Sequence, residues 1–143
     1  MMLFPFLCSF IILCAVLSGC VPLLVGAGVA TTVAANEKTV GQAVAVNKGN
    51  LKDLSFGISK HFALEVMGSR PLRAYRDSKE ILIPNPYKTE SFQSNGKVYE
   101  ILYYATSVQQ DDDRFDQEEL TPLVLENDTL IGWGWDVLKR VRP

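Results

Sequence analysis

Cysteine is absent from everything after residue 20: Cys8, Cys14 and Cys20 are the three in this 143-residue chain. If the segment before Cys20 is removed, the mature chain keeps one cysteine, at its own first position. That excludes an intrachain disulfide and a cysteine-based metal site, so stability must come from a packed core. Histidine is as scarce. His61 is the only one, which excludes histidine-pair metal sites and Cys–His catalysis, and its place near a helix start reads as surface. Charge of one sign is lacking too. A net charge of -2, from 14 basic and 16 acidic side chains, gives no field to gather nucleic acid or anionic lipid. The basic residues are scattered, and their densest group, Arg70, Arg73 and Arg76, reads as a solvated turn.

Nor does the first stretch hold any charge. Leu3 to Leu17 is an apolar run, shorter than the roughly 20 residues of a membrane span and interrupted by Pro5 and Ser9. Its length fits the apolar region of a secretory signal, about 7–15 residues before a small-residue cleavage site. The following Leu17-Ser18-Gly19-Cys20 resembles a bacterial lipobox, an aliphatic residue and two small ones before a cysteine. The resemblance implies a diacylglycerol on the Cys20 thiol, cleavage before it, and an N-acyl chain on the new terminus. Buried methylenes contribute roughly 0.8 kcal/mol each, so several chains hold where one dissociates. One departure is the missing Lys or Arg in Met1-Met2-Leu3-Phe4; either the N-terminal amine supplies that charge or translation starts elsewhere. Val21 and Pro22 follow the cysteine. By resemblance to Gram-negative lipoproteins, where Asp in this place favours inner-membrane retention, they imply the outer membrane, on its periplasmic face.

Three divisions follow: a signal peptide over 1–19, a lipidated N-terminus and tether over 20–46, and a folded domain over 47–143. The tether is rich in Ala, Gly, Val and Thr. Gly26-Ala27-Gly28-Val29-Ala30-Thr31 lacks the third glycine and the strand of a dinucleotide loop. Val40 and Val44 fall four apart and allow a short helix over Asn36–Val46, marginal alone. In the domain, Leu51 and Leu54 suggest a short helix ended at Phe56-Gly57. Ser59 is a good N-cap for a second helix, with Phe62, Ala63, Val66 and Met67 as its buried face, Gly68 closing it and Pro71 preventing continuation. Strands are expected over Glu80–Ile83, Tyr87–Gln93 and Lys97–Val108, with a hairpin turn at Asn95-Gly96. A second hairpin, Leu123–Glu126 with Leu130–Val137, turns at Asn127-Asp128. This order predicts an α+β fold, two short helices packed on a small antiparallel sheet of three to four strands.

The run from Phe56-Gly57-Ile58-Ser59 to Val66-Met67-Gly68-Ser69-Arg70-Pro71 resembles the SmpA/OmlA, or BamE-like, lipoprotein domain. Gly57, Ser59, Val66, Gly68 and Pro71 fill the family's places, although Gly68 and Pro71 lie one residue further apart than in the common form. The Tyr103-Tyr104 strand and the Leu130-Ile131-Gly132-Trp133-Gly134 ending are also similar. A nearer likeness is to uncharacterised relatives with a Thr-Pro-Leu-Val strand, here Thr121–Val124, and a Gly-Trp-Gly ending. The resemblance implies two helices on a three-stranded sheet and a protein–protein role in the machinery that inserts β-barrels into the outer membrane, with no reaction catalysed.

No residue pattern carries a reaction. Ser55, Ser59 and Ser69 have no nearby base. Asp111–Glu119 is a dense acidic run, but it lacks the glycine and carboxylate spacing of an EF-hand and reads as a solvated loop; Asp116 and Glu119 would need a pocket around them to act as acid and base. Four aromatics are candidates for contact with a partner: Tyr103 and Tyr104, on opposite faces of a strand so that at least one is exposed, and Trp133 and Trp135. In one strand, Ile131, Trp133, Trp135 and Val137 share a face. Either that face is core, or Gly132 and Gly134 let a partner chain approach closely. The function expected is a lipid-anchored, non-enzymatic interaction module of an envelope complex. An accessory lipoprotein of a secretion apparatus serves the same sequence, and a small hydrolase or ligand-binding protein is the different class.

Overall fold

The computed structural model describes residues 38–109 and 114–143. The signal peptide, Cys20, the tether up to Glu37 and the acidic residues Asp111–Asp113 lie outside the described residues. The fold is α+β, with helices α1 (Val40–Asn50), α2 (Lys60–Met67) and α3 (Trp135–Val141). Among the described residues the six strands are β1 (Leu72–Arg76), β2 (Lys79–Ile83), β3 (Lys88–Ser94), β4 (Lys97–Ala105), β5 (Leu120–Glu126) and β6 (Thr129–Trp133). They form two antiparallel sheets: a β1–β2 hairpin, and a four-stranded sheet in the order β3-β4-β5-β6.

The four-stranded sheet is covered on both faces. Tyr99, Ile101, Tyr103 and Ala105 of β4 and Val124 of β5 point to one side, where α1 (Val40, Ala43, Val44), the β1–β2 hairpin (Ala74, Ile83) and α3 (Leu138) close over them. Leu102, Tyr104, Leu123, Leu125 and Leu130 point to the other, against Leu54 and α2 (Ala63, Met67). The period of two in a strand thus feeds two separate cores.

Local chemistry accounts for most of these elements. Asn95-Gly96 and Asn127-Asp128 join their strands with φ values of 51° and 73°, and 49° and 62°, the left-handed pair whose twist suits a two-residue hairpin. Helix α2 starts at Ser59, whose hydroxyl accepts from the Phe62 amide at 3.3 Å. It stops at Gly68, which has φ 82° and leaves room for the Asn85 side-chain nitrogen 3.3 Å from where a Cβ would sit.

Six expectations are corrected. The folded part reaches back at least to Thr39, ahead of Asn47: Thr39 and Gln42 cap α1 reciprocally, and Val40, Ala43 and Val44 are core. Leu51–Asp53 is a single 3₁₀ turn continuing α1. Arg73 and Arg76 lie in β1, which a third two-residue turn at Asp77-Ser78 joins to β2. Strand β5 starts at Leu120 and runs through Pro122, because β6 pairs only from Leu123 onward and asks Pro122 for no amide. Strand β6 ends at Trp133; Gly134, with φ 93°, turns the chain into α3. A register shift at Val124/Leu125 also separates Ile131, packed in the first core, from Trp133, packed in the second. Ile131, Trp133, Trp135 and Val137 therefore do not form one strand face.

Candidate functional site

Tyr103 and Tyr104 point to opposite faces of β4, as a strand requires, yet both have 0% exposure. The expectation that one of them is exposed assumed a sheet covered on a single side. The Tyr104 hydroxyl donates to the Gly68 carbonyl at 3.2 Å, tying the sheet to the end of α2, and burial pushes its phenol up to about 12.

Tyr103 sits at the back of a polar cluster. Its hydroxyl donates to Glu90 Oε2 at 2.8 Å. Arg142, just past α3, donates through Nη2 to the same Oε2 at 2.6 Å and to the Tyr103 hydroxyl at 3.0 Å. Lys88 Nζ reaches Glu90 Oε1 at 3.2 Å and lies 4.3 Å from the centre of the Tyr103 ring. Lys88 and Glu90 are two apart on β3, so one face presents both; Tyr103 is the cross-strand partner of Lys88. Burial works to raise the Glu90 carboxyl, but the bonds from Tyr103 and Lys88 and the charges of Lys88 and Arg142 outweigh it and hold the carboxyl below its ordinary range. For Tyr103, burial first and then the bond to Glu90 push the phenol up to about 12. These groups border a cleft of about 250 Å³, whose other walls include Phe115, Gln117 and Trp135.

Trp135 is half-buried in α3. Its ring centre lies 5.8 Å from that of Tyr103, and its indole nitrogen donates to the Leu120 carbonyl at 2.9 Å. Trp133 is elsewhere, stacked on Phe56 with ring centres 5.1 Å apart and planes 18° from parallel. Phe56 is 71% exposed, so this pair is an aromatic platform on the surface. The sequence contained Trp133 as a candidate and missed Phe56, because a Phe before a Gly turn carries no periodic signal. The structure thus divides the four expected contact residues: Tyr103 and Trp135 meet at the cleft, Tyr104 is core, and Trp133 joins Phe56.

The closeness allowed by Gly132 is used within the chain. A Cβ at Gly132 would lie 3.0 Å from both methyl groups of Val137 in α3. Glu119, expected in a solvated acidic loop, is 2% exposed. Its carboxylate accepts from the Gln109 amide and, at 2.8 Å, from the Asp116 amide, so it shapes the β4–β5 connection. His61 is exposed beside Glu65, 3.2 Å away. Among the described residues there is no group of three or more His, Cys, Asp or Glu placed to hold a metal ion. Among them, too, no helix is long and apolar enough to cross a membrane.

Comparison with known proteins returned no match among curated proteins and none among solved structures. The sequence model of one family matches residues 25–140, a span that takes in both sheets and nearly all of α3. By that match the chain belongs to the family described as "Protein of unknown function (DUF3192)".

Proposed function

We propose that this protein is a lipoprotein held by acyl chains on Cys20 at the periplasmic face of the outer membrane, where its domain acts as a non-enzymatic interaction module of an envelope complex. The observation that carries this reading is Leu17-Ser18-Gly19-Cys20 directly after an uncharged apolar run. The likeness of Gly57–Pro71 to SmpA/OmlA domains supports a role in β-barrel assembly. Phe56 stacked on Trp133 supplies an exposed aromatic surface, the kind of anchor on which interfaces concentrate their binding energy.

Intact-mass analysis of the protein from a Gram-negative host, beside Cys20→Ala and with membrane fractionation of both, tests the anchor. The expected result is a chain starting at triacylated Cys20 in the outer-membrane fraction, and an unacylated variant. An uncleaved, unacylated wild-type chain overturns the reading. For the interaction role, a photo-crosslinker at position 56 should give a discrete adduct with an envelope protein, and one at Gln93 on β3 should not. The same adducts from both positions would remove the Phe56 platform as the docking surface.

A further inference from the structure

We propose that the cleft bordered by β3, Phe115–Gln117 and α3 is a binding site for a carboxylate carried on an apolar or aromatic body. The inference is independent of the lipid anchor and rests on unused donors. Arg142 spends only Nη2 on Glu90 and Tyr103; among the described residues its Nε and Nη1 have no partner. Lys88 gives one bond to Glu90 and has donors to spare, since an ammonium carries three. Both side chains are about half exposed, at 48% and 47%, so a ligand can reach them. Glu90 holds the two cations side by side, a prepositioned pair of charged donors rather than two mobile surface chains.

Charge limits the ligand. Lys88 and Arg142 are balanced by Glu90 and by Asp116, which also borders the cleft. A cleft without excess positive charge disfavours a phosphate dianion, and the spare donors of Arg142 and Lys88 suit a single carboxylate. Beside Gln117 and Leu120, the remaining walls are aromatic. Tyr87 and Phe115 meet edge to face with centres 5.2 Å apart, and the Trp135 indole is fixed by its bond to Leu120. A body of ring size fits about 250 Å³, just below the usual size of ligand sites.

The test is an NMR titration of the full chain in detergent solution, following the Trp135 indole N–H and the Arg142 Nε–H. N-acetyl-L-phenylalanine is the probe, its amide the control, and 3-phenylpropionate the arm that separates a peptide chain end from a simple acid. We expect saturable shifts with a Kd on the order of 1 mM, and little response to the amide. Binding of both acids means that the carboxylate and ring are read alone; binding of only the acetylated amino acid identifies a chain terminus. Arg142→Ala should weaken binding about tenfold or more, and Arg142→Lys less. An amide that binds as well as the acid, binding unchanged in Arg142→Ala, or the absence of a saturable shift, overturns the proposal.

Discussion

Neutral phenols in two separate cores make Tyr103 and Tyr104 the residues most sensitive to alkali. Each has a folded-state pKa of about 12 against an ordinary 10, with burial as the first cause, so folding favours the protonated form. The stabilisation is whole below pH 10 and is lost as the pH rises through 12. Tyr104→Phe costs the bond to Gly68, about 1 kcal/mol at neutral pH. It should nevertheless unfold at higher pH than the wild type in an alkaline titration followed by phenolate absorbance, and the latest-titrating amplitude should shrink. A lost amplitude centred near pH 10 would show that Tyr104 is not held in this way. Glu90 has the opposite sign: its lowered carboxyl stabilises the fold above the ordinary carboxylate range, and that contribution is lost as the pH falls through the folded value.

At the scale of elements, the packing of α3 on β6 turns on one hydrogen atom. Gly132→Ala places a Cβ 3.0 Å from two methyl groups of Val137, at a φ of 156°. Overpacking of this kind costs about 1–3 kcal/mol. In a Val137→Ala background the obstacle is absent, so the same substitution should cost clearly less, a coupling read from urea midpoints of the four chains in the cycle. Equal costs in both backgrounds would assign the whole effect to backbone strain.

This junction is also where the sequence was hardest to read. Ile131, Trp133, Trp135 and Val137 alternate as a strand does, while Trp135, Leu138 and Val141 equally fit a helix, and short apolar runs do not decide between the two. The hairpins at Asn95-Gly96 and Asn127-Asp128, the Ser59 cap and the Gly68 stop were legible because each needs a particular residue for a particular φ or hydrogen bond. Helix α1 was legible only as a marginal helix over Asn36–Val46 and not as part of the core, since its apolar residues are alanine and valine and its deepest position is Asn47, a residue type usually found outside. Asn47 is 0% exposed and donates to Asn85 at 2.9 Å and to the Ala105 carbonyl at 2.8 Å, contacts that no local pattern announces. A signal did exist in Thr39-Val40-Gly41-Gln42, which has the spacing of a capping box. The polar cluster at the cleft was beyond reach as well: Lys88, Glu90, Tyr103 and Arg142 come together only through the β3–β4 register and the return of α3.

For the whole molecule, the incorporation of α1 moves the boundary between fold and tether. An anchor at Cys20 would reach at most ~60 Å to Lys38, instead of ~90 Å to Asn47, and would hold the domain nearer the membrane than the sequence alone suggests. Truncation tests the boundary. Starting the chain at Asn47 removes Val40 and Val44, whose burial contributes roughly 1.5–3 kcal/mol each, and the Thr39 cap, about 1 kcal/mol more. Set against a total stability of about 5–15 kcal/mol for a domain, that loss removes a large part of it or all of it. A chain starting at Lys38 should unfold in urea as a single cooperative transition, with the midpoint of the full-length mature protein. The chain starting at Asn47 should show a much lower midpoint or no transition at all. If it kept both the midpoint and the slope of the longer chain, α1 would be an ornament on the first core, and the fold would have to be carried by the β1–β2 hairpin and α3 alone on that face of the sheet.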